Sequence, residues 1–156
     1  MVSNYLFKFL EGAHPEAAQN AKKMEELMFE DPSSAIVKAR VFVEQILADV
    51  FQYEKIEAYH LSSLYDKISY LAREDIFGRE IQRSFDTIRL SGNKAAHGNV
   101  NDITEAYKLH KEMFKIGVWF YEVYSPPNEQ IKIPIYEIPK PKTKENIEDL
   151  VKKQIL

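Results

Sequence analysis

A chain of 156 residues, 45% of them hydrophobic, is long enough to bury one core without a metal or a disulfide. Its formal charge of −3 excludes an overall electrostatic draw toward nucleic acid or acidic membranes, so any such binding must use a local patch. The absence of cysteine removes thiol nucleophiles, disulfides and cysteine-ligated zinc. No apolar run approaches the roughly 20 residues that span a bilayer. Met1 to Leu10 holds Lys8 within its apolar stretch and has no basic leader before it, so no membrane partner is expected and the expected location is cytoplasmic.

Helical periodicity dominates from the start to about Tyr124. Tyr5 to Leu10 is a short apolar turn or helix. A second helix begins near Pro15, which suits a first helical position because its missing N–H is unpaired there anyway, and carries Ala18, Ala21, Met24, Leu27 and Met28 on one stripe. Asp31-Pro32 is the clearest helix start, with Asp31 able to accept from first-turn amides. The helix it opens, through Ile36, Ala39, Val43, Ile46, Leu47 and Val50, is apolar nearly all round, so it is expected to be the central one, fading near Tyr53.

After a polar turn around Glu57, Leu61 to Ala72 forms a helix with Leu64, Ile68 and Leu71 on one face. Gly78 punctuates, and Ile81, Phe85 and Ile88 define the next helix. Gly92 and Gly98 bracket an expected break. Asp102 then caps a long helix with Ala106, Leu109, Met113, Ile116, Trp119, Phe120 and Val123 inward. Ser125-Pro126-Pro127-Asn128 ends the helical region, because consecutive prolines do not continue a helix. Ile131, Ile133, Ile135 and Ile138 then mostly alternate with polar or proline residues, an extended arm in which Pro134 and Pro139 rule out a central strand. Thr143 to Leu156 carries Ile147, Leu150, Val151 and Ile155 at helical spacing, an amphipathic tail that needs a partner surface. The expected organisation is a helical domain over residues 1–125 and an arm with tail helix over 126–156.

The chemically loaded stretch is Arg89-Leu-Ser-Gly-Asn-Lys-Ala-Ala-His97. Taken with Phe9-Leu10, Glu25, Asp31-Pro32, Ala39-Arg40, Glu44, Ile88-Arg89, Gly92-Asn93 and Ala96-His97 in that order, it resembles a HEPN-like domain (higher eukaryotes and prokaryotes nucleotide-binding). The branch is a domain of unknown function found at the N-terminus of type I restriction R-subunit-like helicases and related defence proteins. The resemblance covers roughly residues 5 to 125. It implies an all-α bundle of four to five helices, often a homodimer, with larger helicase or nuclease domains in a full-length protein. Many HEPN proteins are metal-independent ribonucleases that carry an arginine and a histidine with four to six residues between them, and two motifs usually meet across a dimer. Here Asn93 and His97 match the polar residue and the histidine, but Gly92 stands where the motif arginine belongs, and Arg89 lies about one turn too early.

Metal-free RNA cleavage needs a proton acceptor, a proton donor and a cation for the phosphorane charge. His97 suits the first or second role and Arg89 the third, so these two are the catalytic candidates; Asn93, Lys94 and Arg89 are the candidates for phosphate or nucleic-acid binding. The plainer reading makes Gly92-Asn93 a helix end in left-handed backbone, with His97 bonding the turn closed. Arg40 falls between Ile36 and Leu47 on a helical wheel, with Glu44 one turn on, so Arg40, Glu44, Asn93 and His97 are expected to form one buried polar cluster between the central helix and that turn.

His14, His60 and His110 are scattered, with none four residues from another, so no metal or other cofactor is expected, and His110 falls on a mostly polar face. Trp119-Phe120-Tyr121 reads as core rather than a base-stacking platform. Arg79, Arg83 and Arg89 read as a solvated face rather than a basic strip, since Glu80 and Asp86 interleave, and Lys140, Lys142 and Lys144 as soluble linker. The favoured function is a non-catalytic accessory or recognition module for RNA, DNA or a partner protein in restriction or defence systems. A HEPN-type endoribonuclease or toxin acting as a homodimer is the first alternative. A protein–protein interaction module whose arm and tail clasp a second copy is the other.

Overall fold

A computed structural model describes residues 4–97 and 103–141, with backbone only for 92–97. A 3-10 turn over Leu6–Leu10 precedes five α-helices: α1 (Pro15–Leu27), α2 (Pro32–Tyr53), α3 (Leu64–Arg73), α4 (Arg79–His97) and α5 (Ile103–Tyr124). No strand occurs among the described residues, so the fold is the expected all-α bundle.

The central helix is α2. It holds no glycine or internal proline, and its Asp31 cap accepts from the Ser34 N–H at 3.2 Å and the Ser34 hydroxyl at 2.5 Å. The first of these bonds satisfies a first-turn N–H that has no partner within the helix. Ile36, Ala39, Phe42, Val43, Ile46, Leu47 and Val50 are all fully buried, and α2 touches α1, α3, α4 and α5. The helix α3 starts three residues later than the leucine spacing predicts, because the Ser63 hydroxyl accepts from Asp66 N–H at 3.0 Å and fixes the cap there.

Both α2 and α3 end in the same way without glycine. Lys55 and Asp75 each take φ 56°. The following isoleucine N–H then reaches back five residues, Ile56 to Phe51 at 2.9 Å and Ile76 to Leu71 at 3.0 Å. This is the Schellman arrangement, in which one left-handed residue lets two orphan helix carbonyls find donors.

The helices α4 and α5 pack together, and polar side chains cross between them. The Ser84 hydroxyl donates to Glu112 Oε2 and the Ser91 hydroxyl to Glu105 Oε1, each at 2.5 Å, while Phe77 meets the Trp119 indole edge-on at 5.6 Å between centroids. Trp119 and Phe120 belong to the core and its margin, as expected.

Beyond α5, Glu129 N–H bonds to Pro126 C=O at 3.0 Å and the chain reverses. The arm then runs back along α5, since Ile131 N–H lies 3.4 Å from the Tyr121 hydroxyl and Tyr136 reaches His110. Its inward residues are Ile133, Tyr136 and Pro139, spaced by three rather than two. That is the period of a polyproline II helix, which suits a segment with Pro134 and Pro139, and it replaces the alternation that the isoleucines suggest. The amphipathic tail expected over 143–156 and the Asp102 cap lie outside the described residues.

Candidate functional site

The stretch from Arg89 to His97 is not a turn. Helix α4 continues through Gly92 to His97. A glycine within a helix costs only about 0.5–1 kcal/mol relative to alanine, and tertiary ties outweigh that. One such tie is immediately before it, where buried Ser91 bonds to Glu105 on α5. With the helix unbroken, Arg89, Asn93 and His97 follow one another at intervals of four residues along one stripe.

Arg89 is held in place within that stripe. Its Nε lies 3.2 Å from Asp86 Oδ1, one turn back, and its guanidinium stands 5.1 Å from the centroid of the Tyr65 ring on α3. The side chain is only 16% exposed. Helical side chains lean toward the helix N-terminus, and Arg89 does so. The His97 Cα lies about 12 Å further along the axis in the opposite direction, at 1.5 Å rise per residue. The side chains of Asn93, Lys94 and His97 lie outside the described residues.

Arg40 and Glu44 do form a pair, with Nε to Oε1 at 2.9 Å, but their side chains are 30% and 50% exposed. The burial expected for them is therefore not found. Arg40 sits on the flank of the stripe made by Ile36, Ala39, Phe42 and Val43. A surface pair of this kind contributes about 0.3–0.5 kcal/mol. The part of the expected cluster that involves Asn93 and His97 again lies outside the described residues.

The buried polar site is elsewhere, and it centres on His110. This residue is fully buried, not on a polar face. Its place is legible in retrospect, four residues after Ala106 and three before Met113, on the apolar stripe of α5. Its Nδ1 lies 2.9 Å from the Tyr136 hydroxyl of the arm. Its Nε2 stands 3.3 Å from Glu25 Oε2 on α1, yet makes no hydrogen bond in that orientation, so the contact is electrostatic rather than a formed bond. Glu25 Oε2 also accepts Leu6 N–H at 3.3 Å. Burial, with the Glu25 carboxylate and Tyr107 nearby, pushes the Tyr136 phenol up to about 12. Phe7 packs edge-on against the imidazole at 5.4 Å, and Phe114 stands 5.4 Å from the Tyr136 ring. Grooves of about 710 Å³ and 630 Å³ flank the arm here, the larger reaching Tyr5, Lys8 and Glu25 and the smaller Tyr107 and Lys111.

His14 is also buried, with Nε2 3.1 Å from the Ser125 hydroxyl and its ring 4.3 Å from Phe120. Burial holds its imidazole below the ordinary histidine value. The adjoining pocket of about 460 Å³ is lined by His14, Glu16, Asp49 and Tyr53. The Asp49 carboxyl is pushed up by burial, an effect opposed by its bond from Gln45 and reinforced by Glu16. No cluster of three potential metal ligands occurs among the described residues, and none of their helices is long and apolar enough to cross a membrane.

Comparison with known proteins adds what the geometry alone does not give. Residues 22–140 match the model of the family described as "Domain of unknown function (DUF4145)". The chain belongs to this family. The match covers α2 to α5 whole and the C-terminal part of α1, and runs on through Tyr136, so the arm that closes over His110 lies within the DUF4145 domain. Over 139 residues the chain is 23% identical to the type I restriction enzyme EcoKI endonuclease subunit of Escherichia coli strain K12. That alignment takes in 89% of this chain but only 12% of the subunit, so the DUF4145 domain corresponds to a small part of that protein. No solved structure matches the chain significantly.

Proposed function

We propose that this DUF4145 domain is a non-catalytic recognition module of a restriction-type defence protein, one that contacts RNA or DNA through Arg89, Asn93 and Lys94 of α4. The restriction-type setting is supported by the likeness to the E. coli endonuclease subunit and by the HEPN-like order of motifs. Larger helicase or nuclease domains are the natural partners of such a module.

The non-catalytic reading rests on the placement of Arg89. A transition-state cation has to stand within hydrogen-bond reach of the reacting phosphate and of the histidine that moves its proton. Arg89 is turned to Asp86 and Tyr65, one turn behind its own position, while His97 lies two turns ahead. Within one chain this holds the Arg89 guanidinium on the side away from the His97 position. Arg89 held over an aromatic ring fits positioning on a backbone rather than chemistry at it.

The test is titration of the whole chain with single-stranded RNA and with duplex DNA at rising salt. The expected result is an affinity that falls with salt, drops further on Lys94→Ala and Arg89→Ala, and loses about one unit of salt slope per removed phosphate contact. No binding at low salt overturns the proposal. RNA cleavage that His97→Ala abolishes without lowering the melting temperature also overturns it, in favour of a ribonuclease whose second motif comes from another copy.

A further inference from the structure

The smaller groove beside the arm collects positive charge in a chain whose formal charge is −3. It measures about 630 Å³ and is lined by Lys108 and Lys111 of α5 and by Glu137 and Lys140 of the arm. Two acids of this stretch of α5 are drawn to the other side of the helix. Glu105 Oε1 accepts the Ser91 hydroxyl and Glu112 Oε2 the Ser84 hydroxyl, both on α4. Lys108 Nζ keeps a contact of 3.8 Å with that same Glu105 oxygen, and neither Lys111 nor Lys140 is ion-paired with a described residue. Like charges three residues apart on a helix face repel, and an anion set among them reverses the sign of that interaction.

The chemistry of the lining selects the kind of anion. All three cations are lysines, whose compact ammoniums act as point charges with rotatable donors. The planar fork that grips a carboxylate in bidentate fashion belongs to arginine, and among the described residues no arginine lines the groove. Three positive charges against the one of Glu137 leave two, close to the charge that a phosphate monoester carries near neutral pH. A phosphodiester carries only one. Tyr107 adds a hydroxyl donor to the lining, and its ring is anchored edge-on against Phe29 at 5.9 Å. Tyr136, fixed by His110 and Phe114, makes a rigid apolar wall together with Ile138. The volume falls within the range of roughly 300–1,000 Å³ typical of small-molecule sites, which leaves room for more than a bare phosphate.

We infer that the groove between α5 and the arm, lined by Lys108, Lys111 and Lys140, is a binding site for a phosphate monoester carried on a small organic body. The three ammoniums and the Tyr107 hydroxyl hold the phosphate, while Ile138 and the Tyr136 ring take the body. The bond from Tyr136 to His110 fixes the arm, so Lys140 is brought across to the two α5 lysines before any ligand arrives. That order lowers the cost of binding. The same chemistry occurs at the 5′ end of a phosphorylated RNA strand, and the experiment separates the two sources. The inference does not rest on the nucleic-acid reading, since no residue of α4 lines the groove.

The experiment is calorimetric titration of the whole chain at low salt with phenyl phosphate, and with dimethyl phosphate as the singly charged control. Phenyl phosphate is expected to saturate one site, and dimethyl phosphate to bind about tenfold more weakly or worse. Lys111→Glu and Lys140→Glu, both at exposed positions, each weaken phenyl phosphate by about tenfold or more. Lys115→Gln removes a charge from the same helix outside the groove and leaves the affinity within about threefold. Glu137→Gln removes the one acid of the lining and tightens binding, a gain that a misfolded variant does not mimic. Competition by an RNA oligonucleotide with a 5′-phosphate, but not by its 5′-hydroxyl form, shows that the groove admits a strand end; competition by neither confines it to free monoesters. Equal competition by both forms overturns the monoester reading, as does equal affinity for dimethyl phosphate. No saturable binding of phenyl phosphate at millimolar concentration overturns the inference outright. So does binding that Lys111→Glu and Lys140→Glu leave unchanged, which places the anion on another face.

Discussion

Replacing Tyr136 with phenylalanine isolates one atom of the buried site. The ring stays where it is, against Phe114 at 5.4 Å and His110 at 5.5 Å, so the apolar packing of the arm is retained. What is lost is the hydroxyl 2.9 Å from His110 Nδ1. His110 is fully buried and its Nε2 already lacks a hydrogen bond, so the variant leaves the imidazole with none at all. Deleting a hydrogen bond and leaving its buried partner unsatisfied costs about 1–3 kcal/mol, more than the 0.5–1.5 kcal/mol of an ordinary bond. The middle of that range, about 2 kcal/mol, lowers the melting temperature of a domain this size by about 4–8 °C. Circular dichroism melting and urea titration read it, with the midpoint falling and the slope unchanged. Tyr59→Phe, on a residue 85% exposed, is the control and should stay within about 0.5 kcal/mol of wild type. If Tyr136→Phe melts within about 1 °C of wild type, water reaches His110 and the arm is not seated as described.

Two other predictions test local chemistry. Burial depresses the His14 imidazole in the folded chain, so on acidification the unfolded chain takes up this proton first; the stability tied to neutral His14 is full above about pH 6.5 and is lost as pH falls through that value toward the depressed one. The difference in urea stability between wild type and His14→Gln should therefore shrink as pH falls from about 7.5 to 5.5, and parallel pH profiles would refute it. Lys55 holds φ 56°, where an L-residue costs about 1–2 kcal/mol and glycine almost nothing, so Lys55→Gly should raise the melting temperature by about 2–4 °C or more. A fall instead would mean that the lysine side chain contributes more than its backbone costs.

Helix content and the central place of α2 could be read directly, because an apolar stripe, a capping aspartate and a following proline all act within one turn of the chain. The helix ends were harder to read. Lys55 and Asp75 do the work usually assigned to glycine, and only the isoleucine after each hints at it. Gly92 misled in the other direction, since local propensity argues for a break that the Ser91–Glu105 tie across to α5 overrides. Arg40 was harder to place because a helical wheel gives direction but not depth, and its side chain is 30% exposed. The His110 site was hidden for a different reason. Its three groups come from α1, α5 and the arm, and no spacing within one element brings Glu25, His110 and Tyr136 together.

The contacts between α4 and α5 carry a further consequence when taken together. Phe77 just before α4 with Trp119, then Ser84 with Glu112 and Ser91 with Glu105 in the helices, step by seven residues along the two segments in opposite directions. This is an antiparallel heptad seam with one aromatic rung and two hydroxyl–carboxylate rungs. An apolar seam tolerates sliding by a turn, because one leucine is much like the next. A seam with polar rungs does not, since a slip leaves two half-buried carboxylates facing hydrocarbon. The two serines thus act as a ruler. They fix how far α4 is drawn along α5, and with it the height at which Arg89 stands against Tyr65.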